Sequence, residues 1–114
     1  MERLTVGSVI LVRFPFSDMR SRKYRPALIV AVAEFDNVIV CQITSSKFGK
    51  KNIINLNSGD FSKGRLPVDS FIRPDKLFTL DKKLALQNLG SVNRRKLDEV
   101  LLALRKLFAK NKPS

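Results

Sequence analysis

Lys23-Tyr24-Arg25-Pro26-Ala27-Leu28-Ile29-Val30 and Val38-Ile39-Val40-Cys41-Gln42-Ile43-Thr44-Ser45-Ser46 decide how this chain folds. Each contains a short apolar run rich in β-branched residues, which reads as a buried strand. Only a short turn at Asp36-Asn37 separates them. Ala27 to Ala33 and Val38 to Thr44 are therefore predicted to pair antiparallel as a hairpin. That pairing carries Arg25, near the start of one strand, and Thr44, near the end of the other, to the same edge. A guanidinium beside a hydroxyl can hold a phosphate. A plainer reading stands next to it, in which Arg25 pairs with a surface carboxylate and Thr44 simply favours a strand.

Outward from the hairpin, Ser8 to Phe14 reads as a first strand that Pro15 ends, because proline cannot donate to a ladder. The loop Ser17 to Tyr24 is dense in cations, and Lys47-Phe48-Gly49-Lys50-Lys51 is a second basic loop. Asn52 to Asn57 is a short strand. Asn57-Ser58-Gly59-Asp60 and Lys63-Gly64-Arg65 carry turn signals. Ser70 to Arg73 and Lys76 to Leu80 read as two strands separated by Pro74, and Leu84 to Leu89 fits either a strand or a helical turn. Leu97, Val100, Leu101, Leu104, Leu107 and Phe108 recur at steps of one, three and four, the pattern of an amphipathic helix. Ser91 or Asn93 can cap its start. Arg94, Arg95 and Lys96 have the wrong sign for the first turn and read as a solvated face, with an anion or acidic partner as the alternative. Short strands followed by one helix predict a mostly β domain: a small, curved antiparallel sheet. Residues 1–109 form one domain in this reading, and 110–114 a short basic tail.

Charge limits what such a domain does. With 22 Lys+Arg against 10 Asp+Glu, the 114-residue chain carries +12, and its sequence pI of about 10.5 is that of a nucleic-acid-binding domain. A membrane partner is not expected: the longest apolar run, Ala27 to Ala33, is too short to span a bilayer. Met1-Glu2-Arg3-Leu4-Thr5 lacks the apolar core of a signal peptide, and the single cysteine forms no intrachain disulfide. The cytoplasm is the expected compartment. With no histidine and one cysteine, zinc clusters, histidine-pair ribonuclease chemistry and Ser-His-Asp triads are excluded. Neither a metal nor a cofactor is expected.

Two lookalike motifs carry less than their spacing promises. Gly59-Asp60-Phe61-Ser62-Lys63-Gly64 has the glycine spacing of a phosphate loop, but Arg65-Leu66 follows where Lys-Ser/Thr is required. Asp75 and Asp81 echo a metal-dependent nuclease, yet lack the further acid of a two-metal site. Turn and cap roles are the expectation for both acids. A histidine-free site can still cut RNA, because the 2′-hydroxyl is an internal nucleophile. The protein must orient the phosphate, stabilise the added negative charge and move two protons. Arginine meets the first two needs, and Thr44 can donate to a non-bridging oxygen. Arginine holds its proton too tightly to be an ordinary base, so Arg25 reads as charge stabiliser and proton donor.

An ordered set of segments then resembles a known family. Gly7 to Asp18, Arg25-Pro26-Ala27-Leu28-Ile29-Val30, Gln42-Ile43-Thr44-Ser45, Leu66 to Thr79, and Leu89-Gly90 with the closing helix are similar to the MazF/PemK toxins of toxin–antitoxin pairs. The resemblance spans roughly residues 5–108. It implies a small SH3-like barrel, of the type shared by MazF and CcdB toxins, with a C-terminal helix and a homodimeric assembly. It implies cleavage of single-stranded RNA at short motifs without a metal. The family's arginine falls on Arg25, with acid/base work and charge stabilisation, and its threonine falls on Thr44, with Ser45 as a second donor. The family's loop before the arginine gates the RNA groove, which places Arg20, Arg22 and Lys23 against RNA. That loop departs from the family in lacking a glycine and in being so basic. Lys47, Lys50 and Lys51 extend the groove, with Tyr24 and Phe48 as stacking residues, Phe48 serving equally well as a loop anchor. The implied partner is an acidic antitoxin whose disordered tail lies over the groove.

The resulting expectation is a sequence-selective, metal-independent endoribonuclease, the toxin of a two-gene module. Two rivals have other chemistry. One is a toxin of the same fold that poisons DNA gyrase, a branch relying on a tryptophan-containing C-terminal tail that this Trp-free chain lacks. The other is a nucleic-acid-binding barrel without catalysis.

Overall fold

The computed structural model describes residues 3–13, 24–46 and 53–110. Among them lie strands β1 (Ser8–Arg13), β2 (Tyr24–Val32), β3 (Asn37–Thr44), β4 (Ile54–Leu56), β5 (Phe61–Gly64), β6 (Ser70–Asp81) and β7 (Ala85–Val92), then one helix, α1 (Arg94–Lys110). The strands form one sheet in the order β4-β6-β3-β2-β1-β7-β5, and each neighbouring pair is antiparallel. This is the mostly β sheet with one C-terminal helix that the sequence predicts.

Both faces of the sheet are buried, which explains why its central strands read as unbroken apolar runs instead of alternating ones. On one face Leu28, Val30, Cys41, Ile43 and Ile72 pack against Leu97, Val100 and Leu104 of α1. On the other, Ile10, Val12, Ala27, Ile29, Val38, Val40 and Leu80 form a second cluster. No described helix covers this second face, so its burial comes from the sheet curling around it. Register shifts break the β1–β7, β2–β3 and β3–β6 ladders. Each inserts extra backbone on one strand and bends it.

Several details differ from the sequence expectations. The hairpin turn is centred on Phe35 and Asp36, both left-handed at φ 58° and 60°, with the Asn37 amide donating to the Glu34 carbonyl at 3.2 Å. Asn37 already belongs to β3. β6 is one strand of 12 residues, not two. Pro74 is tolerated because it lies in the shift between Arg73, opposite Gln42, and Leu77, opposite Cys41, where no ladder donor is needed. Residues 61–64 are a strand where a turn was expected. There β5 crosses β7 so closely that a Cβ on Gly64 would lie 2.2 Å from the Leu89 carbonyl oxygen, and one on Gly90 2.2 Å from that of Lys63. The ambiguous 84–89 stretch resolves mainly into β7.

At the helix start, the Asn93 Oδ1 accepts the Lys96 amide at 2.8 Å, so Asn93 is the cap. Lys96 is not on a solvated face. Its Nζ is buried, donating to the Asn55 carbonyl at 2.9 Å and to Glu99 Oε1 at 2.8 Å, with Asp60 at 3.7 Å. Among the described residues no helix is long and apolar enough to cross a membrane.

Candidate active site

The site is set by strand register. Arg25 sits opposite Val12 of β1, and the last recorded pair between β2 and β3 is Ala27 with Gln42. Continuing that register two positions past the last pair brings Arg25 and Thr44 to the same edge and the same face. Adjacent antiparallel strands lie about 5 Å apart, and residues opposite one another project to the same face. Thr44 is in turn opposite Phe71 of β6, and Phe71 is opposite Asn55 of β4. A row of side chains therefore runs Asn55, Phe71, Thr44, Arg25, Val12 across five strands. It lies on the face of the second cluster, which α1 does not cover.

Thr44 is prepared for donation. Its Oγ1 accepts the Ser46 amide at 3.1 Å, which occupies a lone pair and leaves the hydroxyl hydrogen to be given outward. The chain leaves β3 here, and Ser45 and Ser46 are exposed on the bend. Arg25 and Thr44 are each partly exposed at the strand ends. Tyr24, opposite Arg13, is 51% exposed, but strand alternation sends its ring to the face opposite that of Arg25. Arg20, Arg22, Lys23, Lys47, Phe48, Lys50 and Lys51 lie outside the described residues.

One row inward is a pair that sequence reasoning missed. Arg73 of β6, opposite Gln42, grips Asp75 with two hydrogen bonds, Nε to Oδ1 at 3.2 Å and Nη2 to Oδ2 at 2.8 Å. This bidentate fork fixes the orientation of the carboxylate. The signal was present: an Arg-x-Asp spacing puts both residues on one face of a strand. It was hidden by reading Pro74 as a break. Asp81 behaves as expected, capping the turn after β6 by accepting the Lys83 amide at 2.9 Å. Among the described residues no group of three or more metal-ligating side chains assembles. The glycine pair at 59 and 64 frames a capped turn, with Asn57 Oδ1 accepting the Gly59 amide at 3.0 Å, followed by β5.

Beneath this face lies Cys41, fully buried. Burial first, and the charge of Asp75 second, push its thiol from 9.0 up to about 12. The thiol therefore stays neutral and unreactive, and it contributes packing instead of chemistry.

Comparison with known proteins bears on the family and the fold. Residues 5–108 match the family model described as the PemK-like, MazF-like toxin of type II toxin–antitoxin systems. No curated protein sequence matches the chain. Among solved structures it is similar to an endoribonuclease in complex with its cognate antitoxin from a mycobacterial species, at 17% identity, TM-score 0.74, covering 97% of this chain and all of the other. It is similar to MazF from Deinococcus radiodurans at 21% identity and TM-score 0.72, over 91% of this chain and 94% of that one. The toxin MazF-mt6 of Mycobacterium tuberculosis matches at 17% identity and TM-score 0.70, over 90% and 96% of the two chains. At such identities the likeness establishes the fold: a curled antiparallel sheet with one C-terminal helix.

Proposed function

The chain belongs to the PemK-like, MazF-like toxin family of type II toxin–antitoxin systems, and we propose that it acts there as a metal-independent endoribonuclease that cuts single-stranded RNA. The observation that carries this reading is the β2–β3 register, which, continued past Ala27 and Gln42, brings Arg25 and Thr44 to one edge of the face that α1 does not cover, with the Arg73–Asp75 pair one row away. Arg25 binds the scissile phosphate, stabilises the charge that grows on it and donates a proton to the departing 5′-oxygen. Thr44 donates to a non-bridging oxygen, and Ser45 adds a second donor. Asp75, oriented by Arg73, accepts the proton of the attacking 2′-hydroxyl, a task arginine performs poorly. The products are a 2′,3′-cyclic phosphate and a 5′-hydroxyl.

The same reading gives the remaining cations a use. We assign Arg20, Arg22, Lys23, Lys47, Lys50 and Lys51 to RNA phosphates and Phe48 to stacking, and the outward-turned ring of Tyr24 takes no part in the clamp. The functional unit is a cytoplasmic homodimer, and an acidic antitoxin segment competes with RNA for this surface. Support for an antitoxin partner comes from two similar structures, an endoribonuclease in complex with its cognate antitoxin from a mycobacterial species and MazE–MazF from Deinococcus radiodurans.

The test is cleavage of a long single-stranded RNA in EDTA by wild type, Arg25→Ala, Thr44→Ala and Asp75→Asn. Wild type is expected to cut at a few fixed sites. Removing a donor aimed at developing charge typically lowers kcat about 100- to 1,000-fold, and Arg25→Ala is expected to fall in that range with much of its RNA binding retained. Asp75→Asn, isosteric but unable to take a proton, is expected to lose kcat with KM little changed. Intact RNA at protein excess would overturn the reading and leave the gyrase-poisoning and purely binding alternatives.

A further inference from the structure

The row holding Arg25 and Thr44 continues through Phe71 to Asn55 on β4, the edge of the sheet. At about 4.8 Å per strand, Asn55 is roughly 14 Å from Arg25, farther than the next phosphate of one RNA strand. Two cavities open at this edge. The nearer, about 230 Å³, is bounded by Asn55, Phe71 and Asp69. The farther, about 640 Å³, is bounded by Asp69 and by Arg65, Pro67 and Val68 of the loop between β5 and β6. Asp69 is a wall of both, so the two adjoin as one depression that runs from Phe71 and Asn55, at the outer end of the row, to the loop between β5 and β6.

The lining selects an occupant. Arg65 is exposed, and no described residue pairs with its guanidinium, so its charge and donors are available to a phosphate. Val68, 57% exposed, and Pro67 offer an apolar surface to the flat side of a base or sugar. Asp69, between the clamp and Arg65, accepts hydrogen bonds from a base amino group or a ribose hydroxyl. An acidic peptide would meet Asp69 as a like charge, whereas a polynucleotide alternates phosphates with donor-bearing bases and sugars in the order this surface presents.

We infer that the RNA flanking the cut runs outward across β6 and β4 over this depression, with Arg65 gripping a phosphate more than one nucleotide from the scissile one. The inference rests on the endoribonuclease reading and adds a specific contact, a direction and a length to it. Arg65 is a substrate-binding residue remote from the reacting atoms.

Kinetics on three RNAs test this: one extending well beyond the mapped cut on both sides, and two trimmed to a single nucleotide on one flank or the other. On the long RNA, Arg65→Ala is expected to raise KM about tenfold with kcat retained, and Arg65→Lys to recover part of the loss. The slope of log affinity against log salt is expected to shrink by about one. Trimming the flank over the loop erases the difference between wild type and Arg65→Ala, while trimming the other preserves it. Equal KM for both proteins on the long RNA, or a penalty that survives both trims, overturns the inference. So does an Arg65→Ala variant that binds an acidic peptide more weakly but handles RNA normally. A wild type that cuts no RNA overturns the enclosing reading instead. In that case fluorescence anisotropy with the same RNAs and variants decides the track, the same tenfold loss supporting it and equal affinities overturning it.

Discussion

At the scale of single residues, chemistry here depends on what each side chain has already been used for. Thr44 Oγ1 accepts the Ser46 amide and so keeps its hydrogen for an outside acceptor. Arg73 is committed to Asp75 through both hydrogen bonds of a fork, which orients the carboxylate. The place of Arg25 at the strand edge was legible from the sequence; the Arg73–Asp75 pair was not, because the proline between them hid the strand that aligns them. Cys41 gives a clean pH signature. Its thiol is raised from 9.0 to about 12 by burial and by Asp75, so between those values the folded chain keeps a proton that the unfolded chain has lost. Fewer protons on the unfolded state means stability falls as pH rises through that window, by on the order of 1 kcal/mol per pH unit. Denaturant melts of wild type and Cys41→Ala from pH 8 to 11 are expected to converge as this term disappears from the variant. Parallel curves would show that the thiol does not titrate differently on folding.

Among the elements, β6 carries the most structural consequence. It pairs with β3 along its length and with β4 at its start, and its shift at 74–76 accommodates Pro74 without the loss of a ladder donor. The β5–β7 crossing is a second case in which sequence spacing understated structure: Gly64 carries a turn signal, yet it and Gly90 permit a backbone contact that any Cβ would block. Helix α1 was readable from its periodicity, but its register against the sheet was not. Lys96 sits on the buried side because its ammonium has three oxygen partners, one of them the backbone of the strand that ends the site's row. Lys96→Met keeps the stem and removes the charge. It is expected to cost about 2 kcal/mol, by leaving the Asn55 carbonyl and two carboxylates without their donor, and to speed amide exchange in β4. Unchanged melting and exchange would show that the buried contact is energetically neutral.

For the whole molecule, charge and curvature act together. The chain carries +12, and Arg25 and Thr44 lie partly exposed at the strand ends, so a polyanion is drawn to the molecule by long-range field before any specific contact forms. RNA binding is accordingly expected to be steeply salt-dependent: for about five neutralised phosphates, log affinity falls by about 3.5 per tenfold rise in salt. Titrations from 50 to 300 mM salt check this, and a flat response would mean that the cations do not face the nucleic acid. Composition, apolar runs and the ordered motifs determined the family, the mostly β sheet with its closing helix, and the β2–β3 hairpin, because these follow from local patterns and short-range pairing. Tertiary structure alone decided which residues from distant segments share a face. The Asn55–Phe71–Thr44–Arg25 row, the Arg73–Asp75 fork beside it and the buried Lys96 arise from pairing between strands far apart in the chain. A shift of one residue in that register would turn every one of those side chains to the other side of the sheet.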